Sequence, residues 1–182
     1  MSLTLVLGGA RSGKSRHAQA LARGLTPRPV YVATSRVWDD DHAARIARHR
    51  RERGPEWRTI ECELELASLA LAGEVAVIDC ATLWLTNWFS DLDGDVDACL
   101  ARATAQIDQL AALEATLIVV SNELGQGLHA PTEVGRKFTD LSGLANQHLA
   151  ARSENVAWMV AGIPWYVKGA APGVKTEMPD GG

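Results

Sequence analysis

Short apolar runs alternate with longer segments of helical spacing along most of this chain. Residues 3–7 (LTLVL), 29–33 (PVYVA), 75–79 (VAVID), 116–121 (TLIVVS) and 156–162 (VAWMVAG) are apolar at nearly every position and rich in β-branched side chains. Such runs read as strands buried on both faces, the habit of a parallel sheet. Between them, residues 14–23 carry Ala and Leu at helical spacing, with Gly24 as the stop. Residues 96–113 repeat Ile107, Leu110 and Leu113 on one helical face, and residues 132–152 are expected to be helical although Gly135 and Gly143 weaken that helix. Asp39, Asp40 and Asp41 offer N-cap carboxylates for a helix to about Arg53, which Gly54 and Pro55 terminate. A further Leu- and Ala-rich helix is expected over residues 64–71, closed by Gly73. WRTIE (57–61) alternates like a short strand, and 163–168 reads as a final edge strand. ATLWLTNWF (81–89) is the most aromatic stretch, 91–97 is acidic and reads as a solvated loop entering a helix, and 122–131 is a glycine-containing loop.

The first strand, helix and second strand form a βαβ unit. The whole pattern predicts one α/β domain over residues 1–169, with a mostly parallel central sheet flanked by helices. Residues 170–182, rich in Pro and Gly, are expected to be a flexible tail. A chain of 182 residues suffices for such a core without staples.

Composition narrows the function classes. The net charge of −4 argues against a nucleic-acid partner that needs a basic surface. No run reaches the ~20 apolar residues of a membrane span. The opening MSLTLVL lacks the basic region of a signal peptide and reads as a mature first strand. Cys62, Cys80 and Cys99 are odd in number and widely spaced, which suits a reducing cytoplasm better than a disulfide scaffold.

The most specific chemical signal is Gly8-Gly9-Ala10-Arg11-Ser12-Gly13-Lys14-Ser15, which matches the spacing GxxxxGK(S/T) between an apolar strand and a helix. Glycines let successive N–H groups curl inward toward phosphate oxygens, and the helix N-terminus adds donors and a favourable dipole. Lys14 can reach the β- and γ-phosphates, and the Ser15 hydroxyl can ligate Mg²⁺. A carboxylate is also needed near the metal. Asp79 ends the VAVID strand, where a parallel sheet presents residues at its ligand-binding edge; the plainer role for it is capping the next helix.

A second cluster lies on the predicted helix ending at Arg53. Arg45, Arg48, Arg50, Arg51 and Arg53 surround His49, with Glu52 the one acid among them. Charge runs are usually solvated faces, yet like charges at helical spacing repel slightly unless an anion offsets them. The arginine field is expected to lower the His49 pKa and leave a neutral imidazole, able to act as base or nucleophile beside a triphosphate. His42 lies seven residues earlier, His17 is expected to pack or cap locally, and His129 and His148 stand isolated. No His/Cys spacing suggests zinc.

Taken in order, GGARSGKS (8–15), YVATS (31–35), RIARHRRERGPEW (45–57), DCATLWLTN (79–87), SNELGQGLHAP (121–131) and GRKFTDLSGLANQHLA (135–150) resemble the bifunctional adenosylcobinamide kinase/adenosylcobinamide-phosphate guanylyltransferases of cobalamin biosynthesis. The resemblance spans about Leu5 to Lys168. It implies a P-loop NTPase fold of the RecA-like kind. It also implies two reactions: phosphoryl transfer from GTP or ATP to adenosylcobinamide, then transfer of GMP from GTP to adenosylcobinamide phosphate, giving adenosylcobinamide-GDP and pyrophosphate. The second passes, in that family, through a guanylylated histidine, matched here by His49. The nucleotide site implied comprises residues 8–15 together with Thr34, Ser35, Arg48, Arg50, Glu61 and Asp79; Ser15 and Asp79 would hold Mg²⁺. A homo-oligomer, with trimers known, is implied as well.

Glu123, just past a central strand, is a candidate to orient the acceptor hydroxyl or take its proton; holding Mg²⁺ or the ribose are equal alternatives. Trp84, Trp88, Trp158 and Trp165 are aromatic candidates for the corrin, each more readily explained as packing. Two other readings share the phosphate loop: a single-function P-loop kinase for a small metabolite, and a non-enzymatic nucleotide-dependent switch. The chain has no NKxD-type segment of the kind switch GTPases use for guanine.

Overall fold

The structure, a computed structural model, describes residues 2–37 and 53–173. Its seven strands form a single sheet in the order β3-β2-β4-β5-β1-β6-β7. They are β1 (Ser2–Gly8), β2 (Val30–Ala33), β3 (Arg58–Glu61), β4 (Val75–Asp79), β5 (Thr116–Val120), β6 (Asn155–Val160) and β7 (Ile163–Lys168). The four described α-helices are α1 (Lys14–Leu25), α2 (Ala81–Asp91), α3 (Val96–Ala112) and α4 (Glu133–Arg152). All pairings are parallel except β6–β7, a hairpin that places β7 at the edge. One strand, β5, lies between β1 and β4, the RecA-like arrangement expected of a P-loop NTPase.

Register brings the chemistry to one edge. Ala33 pairs with Asp79, Asp79 with Val120, and Gly8 with Met159, so the chain leaves β2, β4, β5, β1 and β6 along the same carboxyl end of the sheet. Such an edge is where parallel sheets bind ligands.

Alternation of side chains on the central strands fills two cores. Val6, Val77, Ile118 and Val120 pack toward Ala18 and Ala22 of α1, with Tyr31 and Trp57 beside them. Leu5, Ile78, Leu117 and Val119 pack on the other face against Trp84, Leu85, Cys99, Ile107, Leu141, Ala145 and Leu149. Thus α1 covers one face and α2, α3 and α4 the other.

Element boundaries depart from expectation in three places. The helix expected over 64–71 is only a 3-10 turn, Leu66–Ser68. Neighbouring side chains claim its backbone: Gln106 accepts from Ala67 N, Trp84 Nε1 donates to Leu64 O and Asn87 Nδ2 donates to Glu63 O. Leu66 and Leu71 then reach the core without a helical ladder. Helix α1 runs through Gly24 to Leu25, since a solvent-exposed glycine weakens a helix without ending it. The aromatic stretch 81–89 is the heart of α2, and Asp95 caps α3 by accepting from Ala98 N at 3.0 Å. The predicted helix from Asp39 lies outside the described residues except for Arg53, and residues 174–182 of the expected tail lie outside them too. Among the described residues no helix is long and apolar enough to cross a membrane.

Candidate active site

The phosphate loop is built from backbone geometry. Gly8 has φ +153°, and a Cβ there would lie 2.7 Å from Met159 O and from Ser12 Oγ. Gly13, the N-cap of α1, has φ +94° and packs where a Cβ would be 3.2 Å from Gly162 Cα. Both positions therefore require glycine. Gly9 and Ala10 are exposed, as is Arg11, whose φ is +57°. The turn between β6 and β7 buttresses the loop, with Gly162 N donating to Ser12 O at 3.0 Å.

Lys14 is buried, and its Nζ donates to Gly9 O at 2.6 Å, so the ammonium sits over the loop. Burial draws its pKa down, opposed by nearby Asp79. Ser12 Oγ is buried in the loop with no hydrogen-bond partner, a donor that a phosphate oxygen would satisfy.

Asp79 faces this loop from the end of β4. Ser15 Oγ donates to its Oδ1 at 3.4 Å, and the Tyr31 hydroxyl donates to its Oδ2. A hydroxyl and a carboxylate converging here are the hard oxygen donors Mg²⁺ takes, and that ion ordinarily needs only one or two carboxylates beside substrate phosphates. The residues present therefore fit the metal. Burial and the Asp79 charge push the Tyr31 phenol far above its ordinary pKa, so it remains a donor to Asp79. The Arg53 guanidinium lies 3.6 Å from the Tyr31 ring centroid.

Thr34 turns its side chain inward. It is fully buried, and its hydroxyl accepts from Cys80 N and donates to Cys80 O, both at 2.9 Å. Its carbonyl accepts from Asn87 Nδ2 at 2.7 Å. Its contribution is thus to hold the end of β4. Cys80, whose peptide bond to Asp79 is cis, is buried, and burial pushes its thiol up to about 12. Ser35 is half-buried beyond β2, and Glu61 is exposed at the end of β3, next to Ala33 in register.

Glu123 follows β5, between the phosphate loop and Asp79 in strand order. Its N–H donates to Gly8 O at 3.1 Å, and its Oε1 accepts from Gly125 N at 2.9 Å. Glu123 is therefore tied through its backbone to the first glycine of the loop. His49, Arg48 and Arg50 lie outside the described residues.

Other expectations resolve differently. His17 Nε2 meets the Tyr166 hydroxyl at 3.0 Å, joining α1 to β7. His148, expected to be isolated, lies 2.7 Å from Asp108. Trp84 and Trp88 are core residues, whereas Trp165 is 60% exposed and stacks on Trp158 with centroids 6.0 Å apart. Sequence reasoning gave no role to Tyr31, Thr82, Asn87, Ser121 and Asn146, and named Arg53 only within the arginine cluster. All of them lie inside the six motifs given above, and a polar residue embedded in an apolar run was the signal available at Tyr31, Thr82 and Ser121.

With this geometry established, comparison with known proteins identifies the family. The family model CobU, "cobinamide kinase / cobinamide phosphate guanyltransferase", matches residues 4–167. The bifunctional adenosylcobalamin biosynthesis protein CobP of Pseudomonas aeruginosa is 41% identical over 174 residues, covering 91% of this chain and 96% of its own. The corresponding CobU of Escherichia coli is 39% identical over 181 residues, covering 91% and 99%. Among solved structures, the flagellar accessory protein FlaH of Methanocaldococcus jannaschii aligns over 95% of this chain and 81% of its own at 13% identity, with a TM-score of 0.45, too distant to bear on function. The chain belongs to the cobinamide kinase/cobinamide phosphate guanylyltransferase family and is a bifunctional kinase and guanylyltransferase of cobalamin biosynthesis.

Proposed function

We propose that both reactions use one nucleotide site, at the carboxyl edge of the sheet. The observation that carries this reading is the meeting of the phosphate loop, Asp79 and the Glu123 backbone there, with Glu123 N 3.1 Å from Gly8 O. In the kinase step the aminopropanol hydroxyl of adenosylcobinamide attacks the γ-phosphorus of GTP or ATP. An O–P bond forms, the bond to the β-phosphate oxygen breaks, and the nucleoside diphosphate leaves. Glu123 takes the hydroxyl proton or orders that hydroxyl. Lys14 and the loop N–H groups hold the transferred group's charge. Ser15 and Asp79 would hold Mg²⁺, which supplies charge neutralisation on the triphosphate when bound.

In the guanylyl step an imidazole nitrogen of His49 attacks the α-phosphorus of GTP, and pyrophosphate leaves. The phosphate of adenosylcobinamide phosphate then attacks the guanylyl phosphorus; the P–N bond breaks and His49 is released. Arg48 and Arg50 balance charge on the leaving pyrophosphate. Ser35 and Glu61, flanking the ends of β2 and β3, contact the nucleoside part, and Thr34 shapes that wall.

The chain acts as a homo-oligomer, a trimer by resemblance. The support is an apolar strip on the β6–β7 hairpin: Val160 is 50% exposed, Ile163 69%, Trp165 60% and Val167 53%. A cytoplasmic location agrees with free Cys62, Cys80 and Cys99.

Mass spectrometry of the protein after exposure to GTP tests the central claim. The expected result is a guanylyl adduct, acid-labile and base-stable, on His49; it is absent from His49→Ala, which still phosphorylates adenosylcobinamide. A wild-type protein that takes up no guanylyl group, or an adduct that survives in His49→Ala, overturns the guanylyl assignment.

A further inference from the structure

The segment GRKFTDLSGLANQHLA carries no residue of the site described above, yet it sends one buried polar side chain toward that site. Asn146 of α4 is 6% exposed and meets Ser121, which is fully buried and in turn meets Thr82 of α2, which is 7% exposed. The hydrogen bonds run in one direction around a circuit. Asn122 N donates to Thr82 Oγ1 at 2.9 Å. Thr82 Oγ1 lies 3.5 Å from Ser121 Oγ, and because the single Ser121 hydroxyl proton goes to Asn146, Thr82 is the donor there. Ser121 Oγ donates to Asn146 Oδ1 at 2.7 Å, and Asn146 Nδ2 donates to Asn122 O at 3.1 Å.

The circuit begins and ends on the backbone of Asn122. Its last bond grips the carbonyl of the Asn122–Glu123 peptide, whose N–H in turn donates to Gly8 O. Both polar atoms of one peptide plane are thus fixed, one by α4 and one by the phosphate loop. That plane sets the direction in which the Glu123 side chain leaves the chain.

We propose that Asn146 is a positioning residue for the kinase step, holding Glu123 against the phosphate loop through the Asn122 carbonyl. The inference rests on the reading of Glu123 as the group that orders or deprotonates the acceptor hydroxyl. Buried, fully paired polar networks rigidify what they hold, and a displacement of about 1 Å in a positioned group can cost about 10²-fold in rate.

The test uses the full-length protein and measures the two half-reactions separately. Asn146→Leu alone leaves the Ser121 hydroxyl unpaired, so Ser121→Ala/Asn146→Leu is the second variant, because removing both partners together is far less disruptive to folding. The double variant is expected to lose about 10- to 100-fold in kcat for phosphorylation. Its KM for nucleotide and its rate of self-guanylylation should stay within about twofold, a split that general loosening would not produce. Glu123→Gln is run beside it. If Glu123→Gln cripples phosphorylation while the double variant retains wild-type kcat, the positioning inference is overturned and the role of Glu123 stands. Equal losses of both half-reactions in the double variant also overturn it. If Glu123→Gln itself phosphorylates normally, the reading of Glu123 fails and the inference falls with it.

Discussion

Between Gly8 and Lys14 the chain is shaped by its own backbone: left-handed or glycine-only dihedrals at Gly8, Arg11 and Gly13, a helix N-terminus, and one amine folded over a carbonyl. The floor beside it is assembled from the opposite materials. Thr34, Asn87, Thr82, Ser121 and Asn146 come from four separate stretches of sequence, and their buried hydroxyls and amides hold backbone groups at the ends of β2, β4 and β5. The loop presents donors to a ligand; the floor uses its donors internally. Altering the loop is therefore expected to strike catalysis directly, and altering the floor to strike stability, reaching catalysis only where the floor holds Glu123; that contrast can be broken by substitution.

The largest effect is expected at Lys14. Lys14→Ala should reduce both phosphorylation and self-guanylylation by about 10²- to 10³-fold, the scale of losing one preorganised charge-stabilising donor. Its unfolding midpoint in urea should hardly move or should rise, because burial already disfavours the charged amine. A variant that loses one half-reaction and keeps the other would show that two separate nucleotide sites exist.

Thr34→Val is the counterpart in the floor. It preserves shape but leaves Cys80 N unpaired in the interior, while Cys80 O keeps the bond it accepts from Trp84 N at 3.0 Å. One stranded group makes the expected loss about 1–3 kcal/mol, read as a lower urea midpoint at unchanged slope. Activity per folded molecule should suffer much less than in Lys14→Ala. A Thr34→Val protein of wild-type stability but without nucleotide affinity would mean that the Thr34 hydroxyl belongs to the ligand.

This division also explains what the sequence made legible. The phosphate loop is local: eight consecutive residues between a strand and a helix contain the whole device, so spacing alone located Gly8, Gly13, Lys14 and Ser15. Parallel strands buried on both faces announce themselves as apolar runs, and hence the order of elements and the place of Asp79 at a strand end were readable. The floor is not local. Nothing at Asn146 announces a partner 24 residues earlier, and nothing at Thr34 announces that its hydroxyl pairs with the backbone of Cys80. The segment 64–71 misled for a related reason. Its Leu and Ala content favours a helix, but side chains from α2 and α3 claim the backbone groups that a helix would need.

Within the loop the contrast between two adjacent glycines gives a smaller effect. At Gly8 a Cβ would lie 2.7 Å from a main-chain oxygen and the backbone sits at φ +153°, whereas at Gly9 nothing lies within 4 Å. Gly8→Ala should lose about 1–3 kcal/mol from strain and much of its activity, and Gly9→Ala should fold like the wild type. Equal behaviour of the two would mean that the loop is not held against Met159 as described.

The smallest effect is expected at the rim of the floor, where the bonds are ionic and exposed. Arg36, just beyond β2, pairs through Nη1 and Nη2 with both carboxylate oxygens of Asp91 at the end of α2, and through Nε with Glu63 at 2.7 Å. Hydrogen bonding from Arg36 holds the Asp91 carboxyl below its ordinary pKa. The folded chain thus binds fewer protons than the unfolded chain near pH 4, and stability rises with pH through that range. This contribution is fully present above the unfolded carboxylate value of about 3.9 and is lost as pH falls through the folded one. Asp91→Asn should therefore be slightly less stable than the wild type at pH 7, with a difference that narrows as the solution is acidified below the unfolded carboxylate value and mostly disappears in high salt. Thr34→Val, whose missing bonds are neutral, should show a deficit that neither acid nor salt narrows. If the Asp91→Asn deficit narrows neither in acid nor in high salt, the rim is held by packing, and its likeness to the buried floor is closer than its charges suggest.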